Sequence, residues 1–299
     1  MTSTQISPPQ GKLWMAAIKP PMYSVAIMPI WVGSAVAFRE TKIFNFTIFS
    51  LFIAASILIL AWENISNDVF DAETGIDQNK HHSLVNLTGN KTLMFWLGNL
   101  CLGLGFLAII AIALWQKDPT IIIIILLCCG LGYMYQGPPF RLGYQGLGEI
   151  LCFFAFGPLG MGAAYYSQTQ TWSSRNLAAS IILGIVTSLV LFCSHFHQVA
   201  DDIAAGKKSP IVRLGTQAGA KVLVVFTTII YPLILLFVIL NIFPIWTVLS
   251  FLSLPFAVKL CRHVLKNHNQ PDKVSNSKFI AVNIHFISCL FLGLGFIFG

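Results

Sequence analysis

The sequence predicts an all-α protein that crosses a membrane nine times, folded as one helical bundle over residues 1–299. Three observations lead there. Of the 299 residues, 56% are hydrophobic and only 10% are charged, whereas a soluble domain carries about a quarter charged residues. The apolar residues gather into nine stretches, each near the roughly 20 residues that a helix needs to cross a bilayer. Lys and Arg then segregate by loop. With the N-terminus cytoplasmic, 14 of the 18 lie at the N-terminus or in loops after even-numbered stretches. Only Arg39, Lys42, Lys117 and Arg175 lie after odd-numbered ones. That is the asymmetry of cytoplasmic against outer loops. The net charge of +7 is therefore loop topology. A soluble globular protein, a disordered chain and a nucleic-acid binder are excluded.

The predicted spans are 22–38, 46–66, 93–115, 120–135, 147–166, 177–197, 221–241, 243–260 and 279–298. The first follows a polar, Pro-containing N-terminus that lacks the apolar core of a signal peptide. The second and sixth each run into acidic residues. The fourth closes on a loop stiffened by Pro138 and Pro139. Asn241-Ile-Phe-Pro244 reads as a tight turn dividing the seventh from the eighth. The loop from Lys259 to Lys278 is polar and basic, a solvated cytoplasmic segment. The seven cysteines (Cys101, Cys128, Cys129, Cys152, Cys193, Cys261, Cys289) lie in or beside apolar stretches without a CxxC pair. They read as small packing residues, not metal ligands.

The eleven acids are unevenly placed. Glu63, Asp68, Asp71, Glu73 and Asp77 form one cluster, and Asp201 with Asp202 a second. Each closes an apolar span, and the predicted topology puts both on one side. Near the membrane centre an acid costs about 2.5–3.5 kcal/mol, less toward the interface. Grouping carboxylates adds repulsion, and a bound cation offsets both costs. In a helix, Asn64, Asp68 and Asp71 share a face at i, i+4, i+7, and Asn67 stacks on Asp71. Gly75 permits a turn that returns Asp77. In the second cluster His197/Asp201 and Gln198/Asp202 stack at i, i+4. Oxygen ligands favour a hard cation such as Mg²⁺, which takes one or two carboxylates and completes its shell with water and phosphate. Lys80 follows the first cluster and Lys207 the second, and Arg141 is the only basic residue of the stiff Pro/Gly-rich loop after span four. Two acidic clusters with cations beside them suggest a diphosphate held between metal ions.

Asn67-Asp68-Val-Phe-Asp71 closing a second span, with acids closing a sixth, resembles the UbiA superfamily of intramembrane prenyltransferases. The resemblance runs from Lys19-Pro20-Pro21 to the ninth span. The six-residue step from Asp71 to Asp77, with Gly75-Ile76 between, resembles the 1,4-dihydroxy-2-naphthoate branch. So do the Tyr135–Glu149 loop and Ala204-Ala205-Gly206-Lys207 followed by Val212-Arg213-Leu214-Gly215. The family's second motif usually reads Asp-x-x-x-Asp. Here Gln198 stands first and Asp202 second, with Asp201 added, a variant similar to phytyl-transferring phylloquinone enzymes of cyanobacteria and plastids.

The resemblance implies a Mg²⁺-dependent transfer of a phytyl or other polyprenyl group from its diphosphate to dihydroxynaphthoate, with decarboxylation, in phylloquinone or menaquinone synthesis. Asp68, Asp71 and Asp77 would serve one metal, and Asp201 and Asp202 the other, with Gln198 or Asp201 in place of the missing carboxylate. Asn64 and Asn67 would hold the diphosphate through neutral amides. Arg141, Lys80 and Lys207 would neutralise charge as the C–O bond breaks. Tyr135 would orient the acceptor. The apolar lining of spans one to five would exclude water. The enzyme would be integral to a thylakoid or bacterial inner membrane, its motifs cytoplasmic. Other aromatic acceptors (homogentisate, 4-hydroxybenzoate, chlorophyllide) remain alternatives. A cation transporter is disfavoured because only Glu40 and Asp118 lie on the opposite side.

Overall fold

The structure is a computed structural model and describes residues 10–76 and 83–299. Eight helices among these are long and apolar enough to cross a membrane, and a ninth, Thr120–Gln136, is apolar but only 17 residues long. In chain order they are α1 (Leu13–Thr41), α2 (Phe46–Thr74), α3 (Lys91–Gln116), α4 (Thr120–Gln136), α5 (Gly148–Thr169), α6 (Ser174–His197), α7 (Thr216–Ile239), α8 (Ile245–Asn267) and α9 (Pro271–Phe298). No strand occurs among the described residues. Each helix corresponds to one predicted span.

The helix ends follow local chemistry. Asn45 accepts from the Ile48 amide at 3.1 Å and caps α2, and Asn90 does the same for α3 through Leu93 at 2.9 Å. Lys42, Lys117 and Gln170 close α1, α3 and α5 in left-handed conformation. The turn at Asn241 is as predicted: its φ is 56°, and the amides of Ile242 and Phe243 both donate to the Phe237 carbonyl.

α6 is the most enclosed helix, with α1 and α9 next and packed beside it. Val32, Leu183, Leu189, Ile284 and Leu292 meet in the main core. A second core joins α2, α3, α4 and α5 around Phe52, Ile109, Ile121 and Ala163. On α3, Leu93, Trp96, Leu100, Leu104, Leu107 and Leu114 are exposed at helical spacing. That is a lipid-facing stripe, with Trp96 and Trp115 near its two ends, as interfacial aromatics sit.

Without a hydrophobic drive between helices inside lipid, close packing and polar contacts hold the bundle. Ser253 of α8 joins α7 through Tyr231 at 2.9 Å and α9 through Ser288 at 2.8 Å. His285 of α9 meets Thr187 of α6 at 3.2 Å. Gly295 lets α9 lie directly on α8: a Cβ there would stand 2.5 Å from the Thr247 backbone, which cannot yield. Gly295→Ala is expected to destabilise the protein by about 1–3 kcal/mol, read as a lower melting temperature in detergent.

Two features of the fold set up the candidate site. α2 is 29 residues long, about 44 Å at 1.5 Å per residue against a hydrocarbon core of about 30 Å. The helix therefore continues through the acidic cluster, and Asn64, Asn67, Asp68 and Asp71 are all helical. The second cluster differs from expectation. α6 tightens into a 3₁₀ turn at His195–His197 and breaks at Gln198, and a new short helix runs from Val199 to Ala204. The His197/Asp201 stack on a continuous helix therefore does not form. Asp201 and Asp202 instead occupy the first turn of the new helix, where the peptide dipoles favour negative charge.

Candidate active site

A cavity of about 270 Å³ lies inside the bundle among α1, α2, α4, α5 and α6. Its wall is mainly apolar, with Val25, Ile59, Ile125, Leu151 and Phe156 among the lining residues. α3, expected to contribute, lies outside it, and α6 takes part instead. α5 passes the cavity as a π-helical stretch, Ala155–Met161, that contains Pro158. The polar part of the wall is Ser56, Glu63, Asn64 and Asn67 of α2, Tyr135 of α4, Thr187 and Ser194 of α6 and Lys278 of α9.

The first cluster begins at that polar wall. Asn64 Nδ2 is buried without a hydrogen-bond partner, a donor suited to an anion. Asp68 is buried; its Oδ2 accepts from the Leu84 amide at 2.8 Å, and Lys19 Nζ lies 4.0 Å from its Oδ1. Asp68 thus ties α2 to α1 and to the segment that follows the cluster. Asp71, one turn on, receives hydrogen bonds at Oδ1 from Gln136 Nε2 and, at 3.1 Å, from the Tyr144 hydroxyl. Thr74 also meets that hydroxyl, at 2.6 Å. Burial and the neighbouring Asp71 charge push the Tyr144 phenol above its ordinary pKa, so it stays protonated and donates. Asp77 and Lys80, both predicted here, lie outside the described residues.

Arg141 is placed beside the first cluster. It adopts a left-handed φ of 42° and pairs with Glu73 at 3.3 Å, the same carboxylate that Lys91 meets at 2.7 Å. Its Nη2 meets the cluster at a half-exposed position, while its buried Nε is without a hydrogen-bond partner. Tyr135 lines the cavity, and Gly143 and Gly148 make room for its ring: a Cβ at either would lie within 2.7 Å of Tyr135 Cε2.

The second cluster is built around a buried chain of charges. Asp202 lies 3.5 Å from His195 Nδ1 and 3.5 Å from Lys207 Nζ, and the other ring nitrogen of His195 is 3.2 Å from Glu149. All four residues are buried. Burial alone would raise the Asp202 carboxyl, but His195 and Lys207 outweigh it and hold the group below the usual carboxylate range. Asp201 and Gln198 are half-buried and have no side-chain partner among the described residues.

The two clusters meet through one loop. Tyr144 touches Asp71 with its hydroxyl and carries Lys207 Nζ over its ring, 5.6 Å from the centroid. Its carbonyl accepts from the Lys208 amide at 2.7 Å. Tyr144, Gln136, His195, Glu149 and Lys19 were not among the predicted site residues. Among the described residues no three of His, Cys, Asp and Glu form a metal cage. Mg²⁺ does not require one, since it uses few carboxylates and fills its shell with water and phosphate. Asp68, Asp71 and the unpaired Asn64 amide suit a metal–diphosphate pair. The seven cysteines are free thiols.

The acids on the opposite side have structural work. Glu40 accepts from Tyr165, from Ser173 at 2.9 Å and from Arg175 at 2.9 Å. Asp118 accepts from Tyr166 and from the Thr120 amide, which hold its carboxyl below the ordinary value. Neither opens an acidic path across the bundle.

Known proteins bear on this geometry. A phytyltransferase of Synechocystis sp., the 2-carboxy-1,4-naphthoquinone phytyltransferase, is 52% identical over 290 residues, 97% of this chain and 94% of its own. The chloroplastic protein of that name from Arabidopsis thaliana is 40% identical over 97% of this chain and 78% of its own. A UbiA homolog from Archaeoglobus fulgidus, solved bound to GPP and Mg²⁺, superposes with a TM-score of 0.61 over 96% of this chain and all of its own, at 17% identity. Its likeness is one of fold. The profile of the UbiA prenyltransferase family matches residues 26–290, and the chain belongs to that family.

Proposed function

We propose that this protein transfers a phytyl group from its diphosphate to 1,4-dihydroxy-2-naphthoate, with loss of CO₂, in a Mg²⁺-dependent step of phylloquinone synthesis. The observation that carries the reading is the junction of Asn64 and Asn67 with the mainly apolar cavity on one side and Asp68 and Asp71 on the other. The naphthoquinone phytyltransferases similar to this chain support the acceptor and the chain type. The archaeal homolog of like fold binds GPP and Mg²⁺, which supports the metal.

The chain's residues divide the work. The isoprenoid lies in the apolar cavity, and its diphosphate meets the amides of Asn64 and Asn67. Asp68 and Asp71, with Asp77, would hold one Mg²⁺, and Asp201 with Asp202 or Gln198 the other. Bound Mg²⁺ supplies the bridge from carboxylate to diphosphate and the positive charge that favours a leaving anion. Lys207, positioned by Asp202 and Tyr144, adds a cation from the second cluster, and Lys80 another from the first. Arg141, paired with Glu73 at the end of α2, adds a further cation beside the first cluster. Apolar walls keep water from an allylic cation. Tyr135 forms part of the wall against which the acceptor ring stacks. The relatives are named for the quinone acid, the two-electron oxidised form of the acceptor. Only the hydroquinone ring is electron-rich enough to attack a cation, so it is the expected reactant.

The test is incubation of the purified protein with dihydroxynaphthoate, phytyl diphosphate and Mg²⁺, and detection of prenylated naphthoquinol by mass. Product is expected, lost with EDTA and restored by excess Mg²⁺. The quinone acid without a reductant should give none. Absence of product from folded protein, with product from homogentisate or 4-hydroxybenzoate, would replace the acceptor assignment.

A further inference from the structure

Glu63 is the acid of the first cluster that the mechanism above does not use. It sits on α2 one residue before Asn64 and lines the cavity rather than its charged end. Its carboxylate lies over Gly132 of α4, where a Cβ would come within 2.7 Å of Oε2. No described residue makes a hydrogen bond or ion pair with it. The other carboxylates of the two clusters for which partners are described are Asp68, Asp71, Glu73 and Asp202, and each is held.

A carboxylate facing an apolar cavity inside a membrane protein is costly unless something pairs with it. A molecule bound in this cavity can supply such a partner. The prenyl diphosphate cannot do so, because its tail has no donor and its head is an anion. A phenolic acceptor can. It is a flat ring suited to an apolar slot, and it carries hydroxyl donors.

We propose that Glu63 recognises the aromatic acceptor by accepting a hydrogen bond from a ring hydroxyl. The bond orients the ring beside the Asn64 and Asn67 amides, where the donor's reacting carbon would lie, and it raises electron density on the ring carbons next to that hydroxyl. Gly132 is part of the device, since its missing side chain leaves the carboxylate its place. The inference rests on the reading of the protein as an aromatic prenyltransferase and names the residue that selects a hydroxylated acceptor.

The experiment measures kcat and both KM values for wild type, Glu63→Gln, Glu63→Ala and Gly132→Ala in detergent or nanodiscs. Glu63→Ala should raise KM for dihydroxynaphthoate by roughly tenfold or more, the range for a hydrogen bond to a charged group, with KM for phytyl diphosphate within twofold. Glu63→Gln, which keeps an acceptor oxygen, should lose less. Gly132→Ala should show the same acceptor-only pattern by displacing the carboxylate. The two monomethyl ethers of dihydroxynaphthoate provide a readout that a structural role would not move. One of them should bind poorly to wild type and no worse to Glu63→Ala. Acceptor KM unchanged in every variant, both KM values rising together, or ethers penalising wild type and variant alike would each overturn the proposal. Should Glu63→Ala fail to fold, Glu63→Gln with direct titration of the acceptor carries the same test. An inactive wild type would instead defeat the functional reading on which the proposal rests.

Discussion

Asp71→Asn should lower prenyl transfer by a factor on the order of 10² to 10³, the scale on which a single electrostatic contact at a reaction centre acts, while the protein still folds. Asparagine keeps the volume of aspartate and retains an Oδ1 that can accept from Gln136 and from the Tyr144 hydroxyl, now 3.1 Å away. What disappears is the charge. The Thr74–Tyr144 contact of 2.6 Å does not involve Asp71 and should hold the loop in place. Asp68 makes a less clean test, because its carboxylate also accepts from the Leu84 amide and lies near Lys19, so its loss mixes folding with chemistry. Initial rates for Asp71→Asn, with a melting curve in detergent, check the expectation. Wild-type-like turnover would remove Asp71 from the metal site.

The division between what could and could not be read from the sequence follows the range of the interactions. Spans are local: twenty apolar residues need no partner to be recognised, and every predicted span has its helix. The Asn64–Asp68–Asp71 face was also legible, because helical spacing is local. The failures need contacts between distant segments. His195 reaches Glu149 across two spans, and nothing in either neighbourhood announces the pair. Tyr144 is an ordinary loop tyrosine until the fold brings it to Asp71 and Lys207. Arg141 stands alone in a stiff loop, and only the fold shows that the Glu73 carboxylate lies beside it. The break at Gln198 was missed for a related reason. A helix extended through 202 satisfies the local pattern, but the buried His195–Asp202–Lys207 chain needs the backbone to turn there. Glu63 was counted with its cluster because sequence proximity does not tell a carboxylate at the charged end from one on the cavity wall.

Asp202→Asn should be far more damaging than Gln198→Ala, and in two separable ways. Asp202 is 1% exposed and lies between His195 and Lys207. Removing its charge leaves the buried Lys207 ammonium uncompensated, and breaking such a pair costs about 3–5 kcal/mol. The melting temperature should fall, and the activity with it. The double variant Asp202→Asn/Lys207→Met removes the stranded charge and should recover stability without recovering activity, since both the candidate ligand and the candidate diphosphate cation are then gone. Gln198 has no side-chain partner among the described residues, so Gln198→Ala should leave stability unchanged and reduce turnover modestly. Asp201→Asn divides the remaining possibilities. Asp201 also has no side-chain partner among the described residues, and the helix dipole stabilises its charge only by a small amount, so its loss should affect folding little. A large loss of rate there, with a small one for Gln198→Ala, identifies Asp201 as the carboxylate that replaces the one missing from the second motif. The opposite order gives that role to the Gln198 amide oxygen, and Asp202 then serves mainly to hold Lys207 and His195 in position.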